Sequence, residues 1–196
     1  LCDGNQLTSL DLSNNTDLVT LVCRNNHLTN LNLSNNTALT GLYCEYNQLA
    51  NLDVSNNTAL TELDCDYNHL SSLDLSNNTA LTLLNCSYNR LTCLNLKNGN
   101  STNISLNAAP NNPNLTCIEV DDPIWATENW STNNGQWTYS TSCNYPDDCS
   151  GSSVGGYTLI PDENFEQALI DLGHDDVIDG QVLTANISGV DSLNID

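Results

Sequence analysis

Basic residues are nearly absent from this chain. Arg24, Arg90 and Lys97 are the whole complement against 24 acidic residues, a formal net charge of −21. Such a surface repels phosphate backbones and anionic headgroups, which excludes nucleic acid and membrane surfaces as partners. Long apolar runs are missing too: none approaches the roughly 20 residues of a spanning helix, so no membrane insertion is expected. Catalytic signatures are also lacking. There is no H-E-x-x-H, no phosphate-binding loop and no recognisable Ser/His/Asp arrangement. His27 and His69 occupy a repeated position that Gln6 and Gln48 fill elsewhere, and a position that accepts Gln is not a catalytic one. The chain is therefore read as a non-enzyme with no cofactor. No secretory leader is visible, but residue 1 falls inside a repeat, so the sequence is read as a mature or trimmed piece. Scarce Lys with abundant Asn, Ser and Thr suits an extracellular or cell-surface location.

What fills the sequence instead is a repeat. Cys2, Cys23, Cys44, Cys65 and Cys86 are each 21 residues apart, and Asn5, Asn26, Asn47, Asn68 and Asn89 keep the same step. Ser-Asn-Asn-Thr blocks ending at Thr16, Thr37, Thr58 and Thr79 share it. One unit begins Leu39-Thr40-Gly41-Leu42-Tyr43-Cys44-Glu45-Tyr46-Asn47-Gln48-Leu49. This resembles the leucine-rich-repeat pattern L-x-x-L-x-L/C-x-x-N-x-L, with Cys in the third apolar slot. The resemblance implies a mainly β solenoid of 21-residue coils, with short parallel strands on a concave face and few helices. Within a strand, Leu42 and Cys44 point inward because alternate side chains share a face. Asn47 and its equivalents are expected to turn inward and bond backbone groups of neighbouring coils.

The nine cysteines form two populations. Cys2, Cys23, Cys44, Cys65 and Cys86 stand where Leu would serve and are read as a ladder of buried free thiols. Cys93, Cys117, Cys143 and Cys149 lie off the ladder and suit two disulfides, with three possible pairings. Cys117–Cys143, bridging the cap, is taken first, and Cys93–Cys149 follows by elimination.

The sequence divides into a solenoid over 1–97, a C-terminal cap over 98–149, a Gly/Ser linker over 150–156 and a small α+β segment over 157–196. A solenoid end must be covered, and Trp125, Trp130 and Trp137 are expected to do so; a carbohydrate platform is their sharper alternative. The run Asn114-Leu115-Thr116-Cys117-Ile118-Glu119-Val120-Asp121-Asp122 resembles the C-terminal cap of Bacteroidota (flavobacterial) surface leucine-rich-repeat proteins. In the last segment Asp162 can cap a helix over 163–172, with strands over 182–187 and 190–195. It resembles the N-terminal cap of a following leucine-rich-repeat unit. The tail of the chain thus leads towards its own head, which suggests tandem or head-to-tail copies.

Candidate binding residues lie in columns facing out of the concave sheet. Val22, Tyr43, Asp64 and Asn85 make one; Arg24, Glu45, Asp66 and Ser87 a second; Asn25, Tyr46, Tyr67 and Tyr88 a third. Stacked Tyr beside carboxylates can hold a glycan or a protein, and the plain alternative is a consensus that packs and solubilises. On the convex side, Asp11, Asn32, Asp53, Asp74 and Asn95 read as a solvated acidic column ahead of a Ca²⁺ site. Asp171, Asp175, Asp176 and Asp179 read as turn residues first and Ca²⁺ ligands second. Asp191-Ser192-Leu193 resembles a Bacteroidota O-glycosylation motif at Ser192. Sequons at Asn35, Asn56, Asn77 and Asn114 are attributed to the repeat. The leading functional expectation is an extracellular adhesive or fibre-forming repeat protein that self-associates. A glycan- or protein-binding concave face is the alternative, and ice binding by the Ser-Asn-Asn-Thr rows the third.

Overall fold

The structure is a computed structural model that describes residues 2–106, 111–130, 136–143, 145, 149, 157–159 and 181–183. It divides into two units, Leu1–Asn144 and Tyr145–Asp196.

The first unit is a solenoid with two parallel sheets. One is five-stranded and runs β1 (Thr20–Val22), β2 (Gly41–Tyr43), β3 (Glu62–Asp64), β5 (Leu83–Asn85) and β7 (Ser105–Leu106). The other runs β4 (Ser72–Asp74), β6 (Cys93–Asn95), β8 (Cys117–Glu119) and β9 (Thr138–Ser140). Each strand is only two or three residues long and is followed by a corner. The next coil repeats the strand in register: Leu21 lies against Leu42, Leu42 against Leu63, and Leu63 against Leu84. Strands this short hold because every coil stacks on the one before it and each interface adds its own increment of stability.

Between the sheets the apolar columns close into one core. Leu28, Leu49, Leu70 and Leu91 are fully buried, as are Leu39, Leu60 and Leu81. A buried Leu contributes about 1.5–3 kcal/mol, so the core grows with every coil. Cys23, Cys44, Cys65 and Cys86 sit inside it with no exposed surface, and all are thiols outside any disulfide; Cys2 is the half-buried first rung. Burial pushes the Cys23, Cys44, Cys65 and Cys86 thiols upward, Cys23 to about 12. They are inert small apolar side chains, not nucleophiles.

Asn26, Asn47, Asn68 and Asn89 form the expected buried amide column. The Asn47 amide donates to the carbonyls of Cys23 and Cys44, both at 3.0 Å, and its Oδ1 accepts from the Leu28 N–H at 3.0 Å. The period loosens after Lys97 but the coil continues. Asn112 comes two positions later than the repeat demands, yet it accepts from the Leu91 N–H and donates to the Cys86 carbonyl, each at 3.0 Å.

A second amide column went unread in the sequence. Asn36, Asn57 and Asn78, from the Ser-Asn-Asn-Thr blocks, are almost wholly buried. Asn57 donates to Leu33 O at 3.2 Å and Asn36 O at 2.8 Å; Asn78 repeats this one coil on. Their neighbours Asn35, Asn56 and Asn77 stay exposed.

The C-terminal side of the unit covers the core as expected. Asp122 caps the short helix α1 (Pro123–Asn129), accepting from Ile124 N and Trp125 N, with Pro in the first turn where no N–H is needed. Trp130 and Trp137 are buried in the core, and Trp130 Nε1 donates to Ile104 O at 3.1 Å. Trp125 and Tyr139 pack edge-on against Trp130. Burial removes Trp130 and Trp137 from any carbohydrate platform. Cys117 and Cys143 are bonded, and Cys93 and Cys149 are likewise in disulfide form, as the sequence suggested.

In the second unit, β10 (Tyr157–Leu159) pairs antiparallel with β11 (Gln181–Leu183). The first of these strands was not anticipated, and the second overlaps the start of the expected strand over 182–187. The expected helix over 163–172, the last strand, the Ca²⁺ candidates Asp171, Asp175, Asp176 and Asp179, and Ser192 lie outside the described residues.

Candidate functional site on the concave face

The concave sheet brings the predicted columns together. Register places Tyr43 beside Asp64 and Asp64 beside Asn85. Two positions further along each coil, Arg24, Glu45, Asp66 and Ser87 form the next row. Beyond them Tyr46, Tyr67 and Tyr88 project from the corner.

That corner explains the tyrosines' position. Gly4, Asn25, Tyr46, Tyr67, Tyr88 and Asn111 all have positive φ, between 47° and 69°. This left-handed turn lets the following Asn swing inward. Gly and Asn adopt it readily, while Tyr does so at a cost on the order of 1 kcal/mol. The three rings stack on one another: centroids are 4.3 Å apart for Tyr46–Tyr67 and 4.1 Å for Tyr67–Tyr88, both tilted by 11°. Each remains 36–47% exposed. Stacking covers the inner faces, so the column presents ring edges and hydroxyls to solvent. Neighbouring hydroxyls hydrogen-bond Tyr67, pushing its phenol up to about 12. A sugar that must lie on an aromatic face finds few free faces here.

The carboxylates sit next to this ridge. Glu45 is 7% exposed. Its Oε1 receives Arg24 Nη1 at 3.3 Å, while Arg24 Nε also reaches Asp3 at 3.1 Å. Glu45 Oε2 and Asp66 Oδ1 are buried without a hydrogen-bond partner. Burial holds the Glu45, Asp64 and Asp66 carboxyls above their ordinary values. Asp66 rises to about 6, because Asp64 adds repulsion to its burial.

Glu62 belongs to this group and was missed in the sequence. It accepts a short hydrogen bond from the Tyr43 hydroxyl, which pushes the Tyr43 phenol up. The missing signal was its place two residues before Asp64, on the same face of a strand. Gly41 permits the contact: a Cβ there would stand 3.2 Å from the Tyr43 ring, so the ring lies over bare backbone on its way to Glu62.

The convex column proves to be turn chemistry. Asp11, Asn32, Asp53, Asp74 and Asn95 each accept the N–H two residues on, at 2.9–3.0 Å. This accounts for Asp and Asn alternating there. Among the described residues no group of three His, Cys, Asp or Glu side chains is placed to hold a metal ion, and no helix is long and apolar enough to cross a membrane.

No protein-family model matches the chain, and no curated protein matches it. Solved structures do. The functional domain of InlJ from Listeria monocytogenes, which includes a cysteine ladder, is 32% identical with a TM-score of 0.52 over 61% of this chain and 30% of that one. An internalin (inlF) from the same organism is 23% identical with a TM-score of 0.48, covering 72% of this chain and 40% of its own. The chain therefore spans less than half the length of either neighbour. Its fold is a mainly β leucine-rich-repeat solenoid.

Proposed function

We propose that this chain is a protein-binding leucine-rich-repeat module of an extracellular or cell-surface protein, with the concave face of β2, β3 and β5 as its contact surface. The observation that carries the reading is the exposed Tyr46–Tyr67–Tyr88 stack held beside the buried Glu45 and the half-buried Asp64 and Asp66. Exposed, conformationally fixed tyrosines are typical anchors of protein interfaces, and here their own packing removes their rotamer freedom before binding. The similarity to InlJ supports a surface interaction module, and the disulfides fit an oxidising compartment. Buried, inert thiols and the lack of a converging nucleophile and base among the described residues favour a binding role over catalysis.

The test is adhesion of beads coated with the chain to an array of extracellular proteins and polysaccharides. Binding to protein spots that Tyr46→Ala and Tyr67→Ala each reduce at least tenfold supports the reading. Binding confined to polysaccharides, or indifferent to both substitutions, overturns it. Head-to-tail fibres, the first expectation from the sequence, predict instead that the free chain sediments as concentration-dependent oligomers that survive both substitutions.

A further inference from the structure

We propose that the groove at the Tyr88 end of the tyrosine ridge receives a glutamate or aspartate side chain of the protein partner, with Arg90 as its counter-ion. The inference rests on the concave-face reading above and names one chemistry that the partner presents.

Charge is divided unevenly along this chain. Leu75 to Ile118 contains no acidic residue, although the chain has 24, and it holds two of the three basic ones, Arg90 and Lys97. Lys97 donates to Thr141 O at 3.0 Å and lies within electrostatic reach of Glu119 and Asp121. Arg24 is engaged by Asp3 and Glu45. Arg90 differs from both. Its backbone N–H donates to Leu70 O at 2.9 Å, but its exposed guanidinium has no ion pair or hydrogen bond among the described residues.

Position 90 belongs to a column. Gln6, His27, Gln48, His69 and Arg90 each follow the inward asparagine of their coil, and all five are exposed. Every one carries an N–H donor, and none is acidic. The tyrosine ridge therefore separates two kinds of surface, carboxylates on the strand side and donors on the other. At the end of the column the donors border a space: His69, Tyr88, Arg90 and Asn111 line a groove of about 380 Å³. Asn111 holds the left-handed corner that Tyr takes in the three coils before it, so the ring stack stops at Tyr88. The inner wall is formed by Asn68 and Asn89, whose amides already bond backbone carbonyls of two coils. The groove is thus preformed, which lowers the cost of binding.

A carboxylate side chain matches this set. The guanidinium fork meets both of its oxygens. The His69 ring N–H and the Asn111 amide supply further donors, and the methylene stem rests against the Tyr88 ring. A long polyanion is repelled by the chain as a whole, whereas one side chain feels mainly the charges within the screening length of about 8 Å.

N-acetylglutamate N-methylamide is the probe, titrated into the ¹⁵N-labelled chain at neutral pH and physiological ionic strength. Saturable shifts are expected at the Arg90 Nε–H and the Asn111 side-chain amide. N-acetylglutamine N-methylamide has the same shape without the charge and should bind about tenfold more weakly. The Arg90→Gln variant, followed at Asn111, should lose about as much; Gln6 and Gln48 show that the coil accepts Gln there. Lys97→Gln removes an equal charge and should change binding by less than about twofold. Equal losses from the two variants, equal binding of the glutamine probe, or inorganic phosphate binding as tightly as the glutamate probe would overturn the proposal. Tighter binding of methyl glucuronide would overturn it too, assigning the groove to an acidic polysaccharide. On the protein array, Arg90→Gln should lower binding about tenfold. If it does not while Tyr46→Ala does, the carboxylate groove falls and the concave-face reading stands. If array binding ignores Tyr46→Ala and Tyr67→Ala while the probe and Arg90→Gln obey the prediction, the groove stands and the broader reading falls.

Discussion

Two columns of asparagine run through this solenoid and are satisfied to different degrees. At the corner after the concave strands, Asn26, Asn47, Asn68 and Asn89 use both ends of the amide. Their Nδ2 groups donate to two coils, and their Oδ1 atoms accept from the coil before. At the Ser-Asn-Asn-Thr corner, Asn36, Asn57 and Asn78 use only the donor end; their Oδ1 atoms are buried without a partner. The first column closes a turn that would otherwise leave donors and acceptors of both signs buried. The second meets only surplus carbonyls. A repeat selects asparagine for its donors in both places and uses the acceptor where the backbone happens to present an N–H.

This contrast can be broken experimentally. The largest effect is expected for Asn68→Ala, which removes donors to Cys44 O, Cys65 O and Asp66 O and the acceptor for Leu49 N. Leaving those groups buried should cost about 3–4 kcal/mol, read as a lower urea midpoint. Asn57→Ala strands two carbonyls but also removes an orphan oxygen, so a loss of about 1–2 kcal/mol is expected. Equal losses would show that the orphan oxygen carries no penalty.

The smallest effect concerns the half-buried carboxyl of Asp66. Asp66 titrates at about 6, with Glu45 and Asp64 raised in the same direction. A carboxyl raised by folding holds its proton more tightly in the folded state. Its stabilising contribution is therefore complete below the ordinary carboxylate range and is lost as pH rises through about 6. Lowering the pH from about 7.5 to about 5 should raise Tm by a few degrees, equivalent to about 1 kcal/mol once solvent exposure is discounted. Asp66→Asn should flatten that rise and be the more stable protein at neutral pH. Asp121, lowered by its bonds to Ser101 and Gly99, acts in the opposite sense, at lower pH. An unchanged rise in Asp66→Asn would place the proton elsewhere.

Much of the solenoid was legible because its determinants recur. The Cys, Asn and Leu columns announce the coil, and the inward turn of Asn47 follows from the need to pair buried backbone groups. The second asparagine column was hidden by its polarity. Ser-Asn-Asn-Thr reads as a solvated block, and nothing local distinguishes buried Asn57 from exposed Asn56. The second sheet was hidden for a related reason: its strands follow a polar corner and are too short to show alternation. The coil that carries Asn112 escaped because its spacing stretches. On the concave face the columns were readable from the strand period. Glu62 was not, because its role depends on a Tyr43 ring that crosses Gly41 of its own strand to reach the next coil.

The tyrosine column has an optical consequence. Three phenol rings in near-parallel contact couple their electronic transitions, so their near-ultraviolet circular dichroism differs from that of three isolated tyrosines. The signal originates at the face proposed to meet a partner. It therefore acts as a built-in reporter: Tyr67→Ala, the middle ring, should collapse it further than loss of either outer ring, and a ligand that wedges the rings apart would announce itself without any label.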